Sequence, residues 1–256
     1  MKIGVVGKGG VGKTTISALL ARTYVARGQR VVAIDTDSNP NLGLSLGLDL
    51  RATEAIPMLP RRLVVGGGGC TLDELFDTYG MPTPAGVTVL SALRIEAAGA
   101  GCTCAGHATV RSLLAEALDS HADITIVDME AGIEHLSRSG GTLAYADVLV
   151  MVMEPTRKAV VTAARTIALA TELGIADAVG VGNKVFDDAD RETLVALCAE
   201  YQVPLVAMMP RDSGVIEADR VGRPVRMEDA PTLWAELDRL CDVLDERHRA
   251  KLVSLA

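Results

Sequence analysis

Glycine, lysine and threonine residues near the start of the chain have the spacing of a phosphate-binding loop. The segment Gly7–Thr14 reads GKGGVGKT and fits the pattern G-x-x-x-x-G-K-[ST], with a strand-like run before it and a helix-like run after it. Glycine has no Cβ, so the backbone N–H groups of such a loop can approach phosphate oxygens closely. Lys13 adds a positive charge at the β- and γ-phosphates, and the Thr14 hydroxyl can ligate Mg²⁺. The sequence therefore predicts a site for ATP or ADP with Mg²⁺, formed by Gly9, Gly10, Val11, Gly12, Lys13, Thr14 and Thr15.

Three aspartates follow strand-like runs and have suitable chemistry for a metal or a water molecule. Asp35 and Asp37 come directly after Val31–Ile34, and Asp128 ends the run Ile124–Val127. Ligands bind at the carboxyl ends of strands in open α/β folds, so we expect these carboxylates near the phosphate loop. Asp128 has the position of a Walker B acid, which holds Mg²⁺ through water. The alternative for Asp35 and Asp37 is that they only cap the next turn.

The elements that must position these residues alternate between short β-branched runs and longer helical patterns. This alternation predicts an α/β fold with a doubly wound, mostly parallel sheet and helices on both faces. The predicted strands are Lys2–Val6, Arg30–Ile34, Val87–Ser91, Ile124–Asp128, Val148–Met153, Ala178–Asn183 and Leu205–Met208. The predicted helices are Lys13–Arg27, Ala108–Ser120, Ala159–Leu173, Arg191–Tyr201 and Pro231–Arg249. We interpret residues 1–256 as one domain, in which residues 51–84 form an irregular insertion.

Composition and charge narrow the classes of partner. The chain has 256 residues, of which 49% are hydrophobic and only 3% aromatic, so Val, Leu, Ile, Ala and Met must fill the core. The net charge of -8 disfavours broad nucleic-acid binding, which needs a basic surface. We find no run of about 18 apolar residues that predicts a membrane span and no signal peptide. We expect a cytoplasmic protein.

The glycine-rich loop contains a second lysine, Lys8, and its extended pattern K-G-G-x-G-K-T-T resembles the deviant Walker A motif of the MinD/ParA/nitrogenase-iron-protein class of P-loop ATPases. In that class the first lysine reaches across a nucleotide-sandwich dimer to the partner's ATP. The resemblance implies an ATP-promoted homodimer and catalytic roles for Lys8 and Lys13. It also implies that Asp37 orients or deprotonates the attacking water and that Asp35 supports Mg²⁺ through its water shell.

The same resemblance suggests which residues bind the adenine base. Asn183 lies where the class uses an asparagine to hydrogen-bond the adenine edge, although an asparagine at a strand end is often only a turn residue. The loop Pro210–Asp212 follows a later strand and is similar to the other base-contacting loop of the class, which assigns Pro210 and Asp212 to the nucleotide site.

Two cysteines, Cys102 and Cys104, form a C-x-C motif before the helix predicted at Ala108–Ser120. One such motif supplies two thiolates, whereas Zn²⁺ and similar metals prefer four ligands, which two copies across a two-fold axis could provide. His107 is a possible further ligand. The alternative is a pair of inert, buried cysteines, but the surrounding glycines and alanines favour an exposed loop. We expect Cys198 and Cys241 in the core and have no explanation for Cys70.

Three stretches together resemble the CooC-type ATPases, which help insert nickel into carbon monoxide dehydrogenase and related enzymes. They are Lys8–Thr15, Gly101–Cys104 and Asp128–Leu136, and the M-E-A-G-I-E-H run of the third is the most specific. The resemblance implies an ATP-dependent homodimer whose paired C-x-C motifs bind Ni²⁺, with Zn²⁺ as the other candidate, at the interface. Its client would be carbon monoxide dehydrogenase or another metalloenzyme. Ala105 stands where the family often has proline, and the stretch 136–141 also departs from the family.

The second switch of such an ATPase would follow Asp128, with Gly132 as a hinge that senses the γ-phosphate. Glu130, Glu134 and His135 either couple that sensor to the interface or form a salt-bridged helix face, and we assign them no chemistry.

Two other functions compete with metal delivery. A positioning or partition ATPase of the MinD/ParA type would act on a membrane or on DNA, and its membrane-bound members end in a basic amphipathic helix. The corresponding stretch here, Trp234–Glu246, is amphipathic but acidic, so we expect it to pack on the sheet. An iron–sulfur electron carrier similar to the nitrogenase iron protein would also bridge a dimer, but that family's cluster cysteines lie well apart in sequence.

Overall fold

The computed structural model of the chain describes residues 1–60, 70–92, 104–116, 121–130, 143–175 and 177–255. Its strands are β1 (Lys2–Gly7), β2 (Val31–Asp35), β3 (Met81–Pro82), β4 (Thr88–Ser91), β5 (Ile124–Asp128), β6 (Val148–Met153), β7 (Ala178–Val185) and β8 (Leu205–Pro210). Its helices are α1 (Lys13–Ala26), α2 (Leu42–Ser45), α3 (Leu50–Glu54), α4 (Leu72–Tyr79), α5 (Cys104–Glu116), α6 (Arg157–Glu172), α7 (Asp188–Glu200), α8 (Ser213–Arg220) and α9 (Pro231–Leu255). A short 3₁₀ helix spans Met227–Asp229.

The strands form one sheet in the order β3-β4-β2-β5-β1-β6-β7-β8. All neighbouring strands are parallel except the short β3, which runs antiparallel to β4. The predicted doubly wound, mostly parallel fold is therefore confirmed. Strand β1 lies between β5 and β6, so β2, β4 and β5 occupy one side of it and β6 to β8 the other. Ligands of such sheets bind at a switch point of this kind, beyond the carboxyl ends of the strands.

The sheet is buried on both faces, because each face is covered by helices. Every residue of β2, β5 and β6 is buried, which explains why these strands read as continuous apolar runs rather than alternating ones. One core lies under α1 and α9 and includes Leu20 and Leu240. The other lies under α5, α6 and α7 and includes Leu113, Val160 and Leu194.

Helix α9 packs with its apolar side against α1 and β8, as expected for the acidic C-terminal stretch. Its buried residues include Trp234, Leu237, Leu240, Cys241 and Leu244. The prediction that Cys198 and Cys241 are core residues is confirmed, because both are buried. None of the helices in the described ranges has the length and apolar character that a membrane crossing requires.

The structure differs from the sequence prediction mainly in short elements. The segment 51–84, interpreted as irregular, contains α4 and β3 and most of α3, and residues 61–69 lie outside the described residues. Helix α4 is set by a capping box, in which the Thr71 hydroxyl accepts from Glu74 N and the Glu74 carboxylate accepts from Thr71 N. Helix α5 includes Cys104, so the second cysteine of the C-x-C motif lies in a helix instead of an exposed loop.

Candidate nucleotide site

The phosphate loop connects β1 to α1 and wraps around the start of that helix. Gly10 and Gly12 have φ angles of 83° and 94°, in the left-handed region that favours glycine. Lys13 is the first residue of α1 and is buried, with its ammonium 3.5 Å from the carbonyl oxygen of Lys8. Burial lowers the pKa of Lys13, while the carboxylates of Asp128, Asp37 and Glu130 oppose this shift. The predicted loop residues thus surround a positive helix terminus that suits an anion.

Two of the predicted aspartates lie side by side at the carboxyl ends of neighbouring strands. Asp35 of β2 and Asp128 of β5 are register partners, and both are almost completely buried. The pKa of Asp128 is raised to about 7, mainly by burial and also by the nearby Asp35, while hydrogen bonds from Thr14 and Ser17 act in the opposite direction. Burial also raises the pKa of Asp35 to about 6. Taking these carboxyls out of water is costly unless a cation joins them.

The oxygen atoms at Asp128 are of the kinds that Mg²⁺ prefers as ligands. The Ser17 hydroxyl donates to Asp128 Oδ1 at 2.9 Å, and the Thr14 hydroxyl also bonds this carboxylate. Hydroxyl and carboxylate oxygens suit Mg²⁺, which binds proteins through one or two carboxylates and keeps several waters. Thr14 and Asp128 would hold the ion together with the nucleotide phosphates, where it neutralises developing charge.

The two acids at the end of β2, Asp35 and Asp37, differ in their environment. Both oxygens of Asp35 accept backbone N–H groups, from Asp37 at 3.0 Å and from Leu42 at 3.0 Å. These two contacts are those expected from the turn-capping alternative for Asp35. Asp37 is half-buried, and its Oδ1 accepts from Asn39 N at 2.9 Å. The charge of Asp37 raises the pKa of Lys13, against the larger effect of burial.

The segment after β2 and the predicted second switch after β5 are joined by hydrogen bonds that the sequence did not indicate. The Ser38 hydroxyl donates to Glu130 Oε1 at 2.7 Å. The Thr36 hydroxyl donates to the carbonyl oxygen of Asp128 at 2.8 Å. The segments after β2 and β5 therefore contact each other directly next to the phosphate loop. Gly132, Glu134 and His135 lie outside the described residues.

A cavity of 580 Å³ opens beside the phosphate loop on the side of β6, β7 and β8. Its lining includes Gly12, Thr15, Asn183, Lys184, Pro210 and Asp212. Asp212 caps α8 by accepting from Gly214 N at 2.7 Å, which fixes the loop after β8. The structure thus brings the residues predicted to contact the base to one cavity. A larger cavity of 670 Å³ lies beside the edge strand β8, between α7 and α9, and includes no residue of the phosphate loop.

Asn183 is buried and has a contact that the sequence analysis missed. Its Nδ2 donates to the carbonyl oxygen of Val11 at 2.7 Å, and a Cβ at Gly12 would collide with the same amide group. The asparagine therefore supports the phosphate loop, while its Oδ1 is the atom suited to accept from an adenine amino group. Lys184 and Glu154, which no motif singled out, also contact this region. The only sequence signal for Lys184 is its position after Asn183.

The cysteine pair is described only in part. Cys102 and Thr103 lie outside the described residues, as do the side chains of Cys104 and His107. The strand before them, β4, pairs with β2 so that Ser91 is the register partner of Asp35, and Ala92 N donates to the carbonyl oxygen of Asp35 at 2.9 Å. Within the described ranges, no group of three or more His, Cys, Asp or Glu side chains is arranged for a metal ion.

Comparison with known proteins is consistent with this geometry. The CobQ/CobB/MinD/ParA nucleotide binding domain family matches residues 3–225. The carbon monoxide dehydrogenase accessory protein CooC of Rhodospirillum rubrum is 34% identical over 235 residues, covering 87% of this chain and 88% of CooC. An uncharacterized ATP-binding protein of Methanocaldococcus jannaschii is 33% identical over 243 residues, covering 89% of this chain and 92% of that protein.

Among solved structures, the Pyrococcus furiosus cell division ATPase MinD superposes with a TM-score of 0.69 at 21% identity, covering 96% of this chain and 98% of that chain. The fold, the phosphate loop and the family match agree on a nucleotide site that uses ATP or ADP with Mg²⁺. The chain therefore belongs to the CobQ/CobB/MinD/ParA family of nucleotide-binding proteins, in which CooC is one of its relatives, and it is an ATPase.

Proposed function

We propose that this ATPase is a metal-delivery protein, which works as a homodimer and assists nickel insertion into carbon monoxide dehydrogenase or a related metalloenzyme. The observation that carries the proposal is the 34% identity to the accessory protein CooC over 87% of the chain. The Cys102 and Cys104 pair supplies the chemistry that such a function requires, because thiolates bind nickel and zinc well.

In the proposed hydrolysis step, each residue predicted near the phosphates has a role. Loop N–H groups and the Lys13 ammonium hold the phosphates, and Asp37 orients a water whose oxygen attacks the γ-phosphorus. The bond from the γ-phosphorus to the bridging oxygen breaks, which gives ADP and inorganic phosphate. Lys8 is exposed on the loop, so its ammonium is free to reach the phosphates held by a partner subunit. Asp35 supports the water shell of Mg²⁺.

The neighbouring strands offer a route from hydrolysis to the metal. Asp35 lies on β2, and its carbonyl oxygen bonds Ala92 at the end of β4. The chain then continues from β4 to the C-x-C motif and α5. A rearrangement of Asp35 to Asp37 on loss of the γ-phosphate acts on the start of this connection. We propose that it opens the metal site in the dimer.

The metal site itself is proposed to form between two copies of the chain. Each copy contributes Cys102 and Cys104, and four thiolates complete the coordination that one copy cannot. Nickel is the cargo in this proposal, and Zn²⁺ is the ion most able to compete for the same ligands.

The test combines metal stoichiometry with molar mass. We expect the protein, with Mg²⁺ and a non-hydrolysable ATP analogue, to bind about one Ni²⁺ per two chains and to elute as a dimer in light-scattering chromatography. The double variant Cys102→Ala/Cys104→Ala should lose nickel while it still binds the analogue. Cys70→Ala is the matched control and should keep both properties, since that cysteine lies outside the proposed site.

Nickel binding that survives in the double variant would falsify the proposed ligands. A nickel-bound protein that stays monomeric would contradict the shared site. The delivery step is tested separately by mixing the nickel-loaded dimer with nickel-deficient carbon monoxide dehydrogenase. The enzyme should gain activity only when hydrolysable ATP is present.

A further inference from the structure

We propose that Lys184 is a positioning residue for ATP hydrolysis, because its ammonium holds the outer side of the phosphate loop in the orientation that binds phosphate. The proposal concerns the ATPase reaction itself and does not depend on the identity of any metal cargo. It rests on the contacts that Lys184 and its neighbour Asn183 make with two consecutive carbonyl groups of the loop.

The two side chains donate hydrogen bonds to the carbonyl groups of adjacent peptides. Lys184 Nζ donates to the carbonyl oxygen of Gly10 at 2.6 Å, and Asn183 Nδ2 donates to that of Val11 at 2.7 Å. The loop is rich in glycine and therefore has the conformational freedom to turn these peptides in other directions. Two donors on successive carbonyls remove that freedom.

Holding a carbonyl also fixes an amide, because the peptide group is planar and its C=O and N–H point in opposite directions. The Gly10 carbonyl shares a peptide with Val11 N–H, and the Val11 carbonyl shares one with Gly12 N–H. Both carbonyls face β7, so both N–H groups are directed away from β7. Val11 N–H indeed reaches across the loop towards the Lys8 carbonyl, at a long 3.4 Å. That weak contact can be exchanged for a phosphate oxygen.

The local backbone allows both Asn183 and Lys184 to hydrogen-bond the loop. Successive side chains of a regular strand point to opposite faces, so Asn183 and Lys184 could not both reach the loop from one. Lys184 has a φ of 58°, which is uncommon for a residue with a Cβ, and the pairing of β7 with β8 shifts register between Gly182 and Val185. Irregularities of this kind change the direction in which side chains point, and they occur next to active sites.

Glu154 holds the lysine in place from the other side. It follows β6, and its Oε1 lies 2.7 Å from Lys184 Nζ. Through these two contacts the ammonium links the end of β6, the end of β7 and the phosphate loop. A donor with full charge makes a stronger hydrogen bond than a neutral one, which suits a contact that stays 45% exposed to water on the lysine side.

The test separates phosphate binding from base binding. We expect Lys184→Met to weaken ADP about tenfold and to lower kcat/KM for ATP by at least about the same factor, because a charged hydrogen bond to the loop is lost. Binding of AMP, which lacks the β-phosphate, should change less than about twofold. Lys184→Arg keeps a charged donor and should restore most of the ADP affinity. The matched control Lys158→Met changes an exposed lysine of α6 and should leave all three values unchanged.

Three outcomes overturn the proposal. Lys184→Met could keep ADP affinity and kcat/KM within about twofold of the starting protein, which would mean that the contact does not orient the loop. It could weaken AMP as much as ADP, which would place the lysine on the base. Lys184→Arg could be as impaired as Lys184→Met, which would make side-chain packing the cause. Thermal unfolding without nucleotide shows that each variant is folded.

Discussion

At the scale of single residues, the most demanding feature is the pair of buried carboxyls beneath the phosphate loop. Asp35 and Asp128 are register partners on adjacent strands, and the raised pKa of each shows that the charged form is disfavoured when the metal site holds no cation. Bound Mg²⁺ reverses this preference, because its positive charge stabilises carboxylates that burial has shielded from water. The pair therefore makes the nucleotide-free protein sensitive to pH.

The pH dependence of stability follows from the sign of the shift. Asp128 has a pKa of about 7 in the folded chain against 3.8 as its ordinary value, so the folded chain keeps a proton that the unfolded chain loses. Stability of the nucleotide-free protein should fall as pH rises from about 4 to about 7. Asp128→Asn should flatten this decline and be the more stable protein at pH 8. Its kcat should drop by at least about a hundredfold, because Mg²⁺ loses the carboxylate that holds it through water.

Urea unfolding at several pH values without nucleotide measures this effect. Asp35 shifts in the same direction and remains in the variant, so part of the decline persists. Asp77→Asn, an exposed substitution on α4, is the control and should keep the original pH profile. A profile of Asp128→Asn that parallels the original would show that the carboxyl is not held protonated.

At the scale of elements, α9 shows how an acidic helix becomes part of the core. Its apolar side packs on α1 and β8, and its aspartates face Arg27 at the end of α1, with Asp238 and Asp242 within ion-pair distance. Such half-exposed ion pairs contribute little, so we assign the docking of α9 to apolar burial.

Truncation of a buried α9 residue tests this assignment. Leu240 is fully buried, and Leu240→Ala should lower the free energy of unfolding by about 3 kcal/mol, since it removes methyl groups and leaves a cavity. Leu252 on the same helix is 54% exposed, and Leu252→Ala should cost less than about 0.5 kcal/mol. Denaturant melts of both variants give these values directly. Equal losses for the two substitutions would show that α9 is not anchored by its apolar side.

The elements also show which parts of the fold a sequence can predict. The strands β1, β2, β5 and β6 were predictable within one residue, because they are buried on both faces and contain little besides apolar residues. The short helices α2 and α3 were missed, since four or five residues carry too little periodicity to be recognised. Helix α8 was also missed, although Asp212 was singled out for another reason and turned out to be its cap.

The residues of the nucleotide site also divide into those that a sequence can predict and those that it cannot. The glycines, Lys13, Thr14 and Asp128 were predictable because a contiguous motif specifies them. The contacts of Lys184 with Gly10 and of Ser38 with Glu130 were not, because they join segments 174 and 92 residues apart. No local pattern records which distant side chain a loop will meet, and the left-handed backbone at Lys184 has no sequence signal of its own.

At the scale of the whole molecule, the net charge and the packing of α9 on the domain argue against a membrane- or DNA-bound positioning ATPase. The net charge is -8, and the apolar side of α9 is already occupied by α1 and β8. With ATP and Mg²⁺, we expect no more protein to pellet with anionic vesicles or with DNA than pellets alone, since both surfaces repel an acidic protein. ATP-dependent co-sedimentation with either would favour the positioning function instead.

Strand β1 divides the sheet, and this has a consequence for how such proteins diversify. The cavity proposed for the base takes its strand residues from β7 and β8, whereas the acidic segments and the cysteine-bearing connection follow β2, β4 and β5. Among the described residues, the phosphate loop and the start of α1 contact both halves. A lineage could therefore replace the connection after β4, or the enzyme that receives its cargo, while the cavity beside β7 and β8 keeps its affinity for adenine nucleotide.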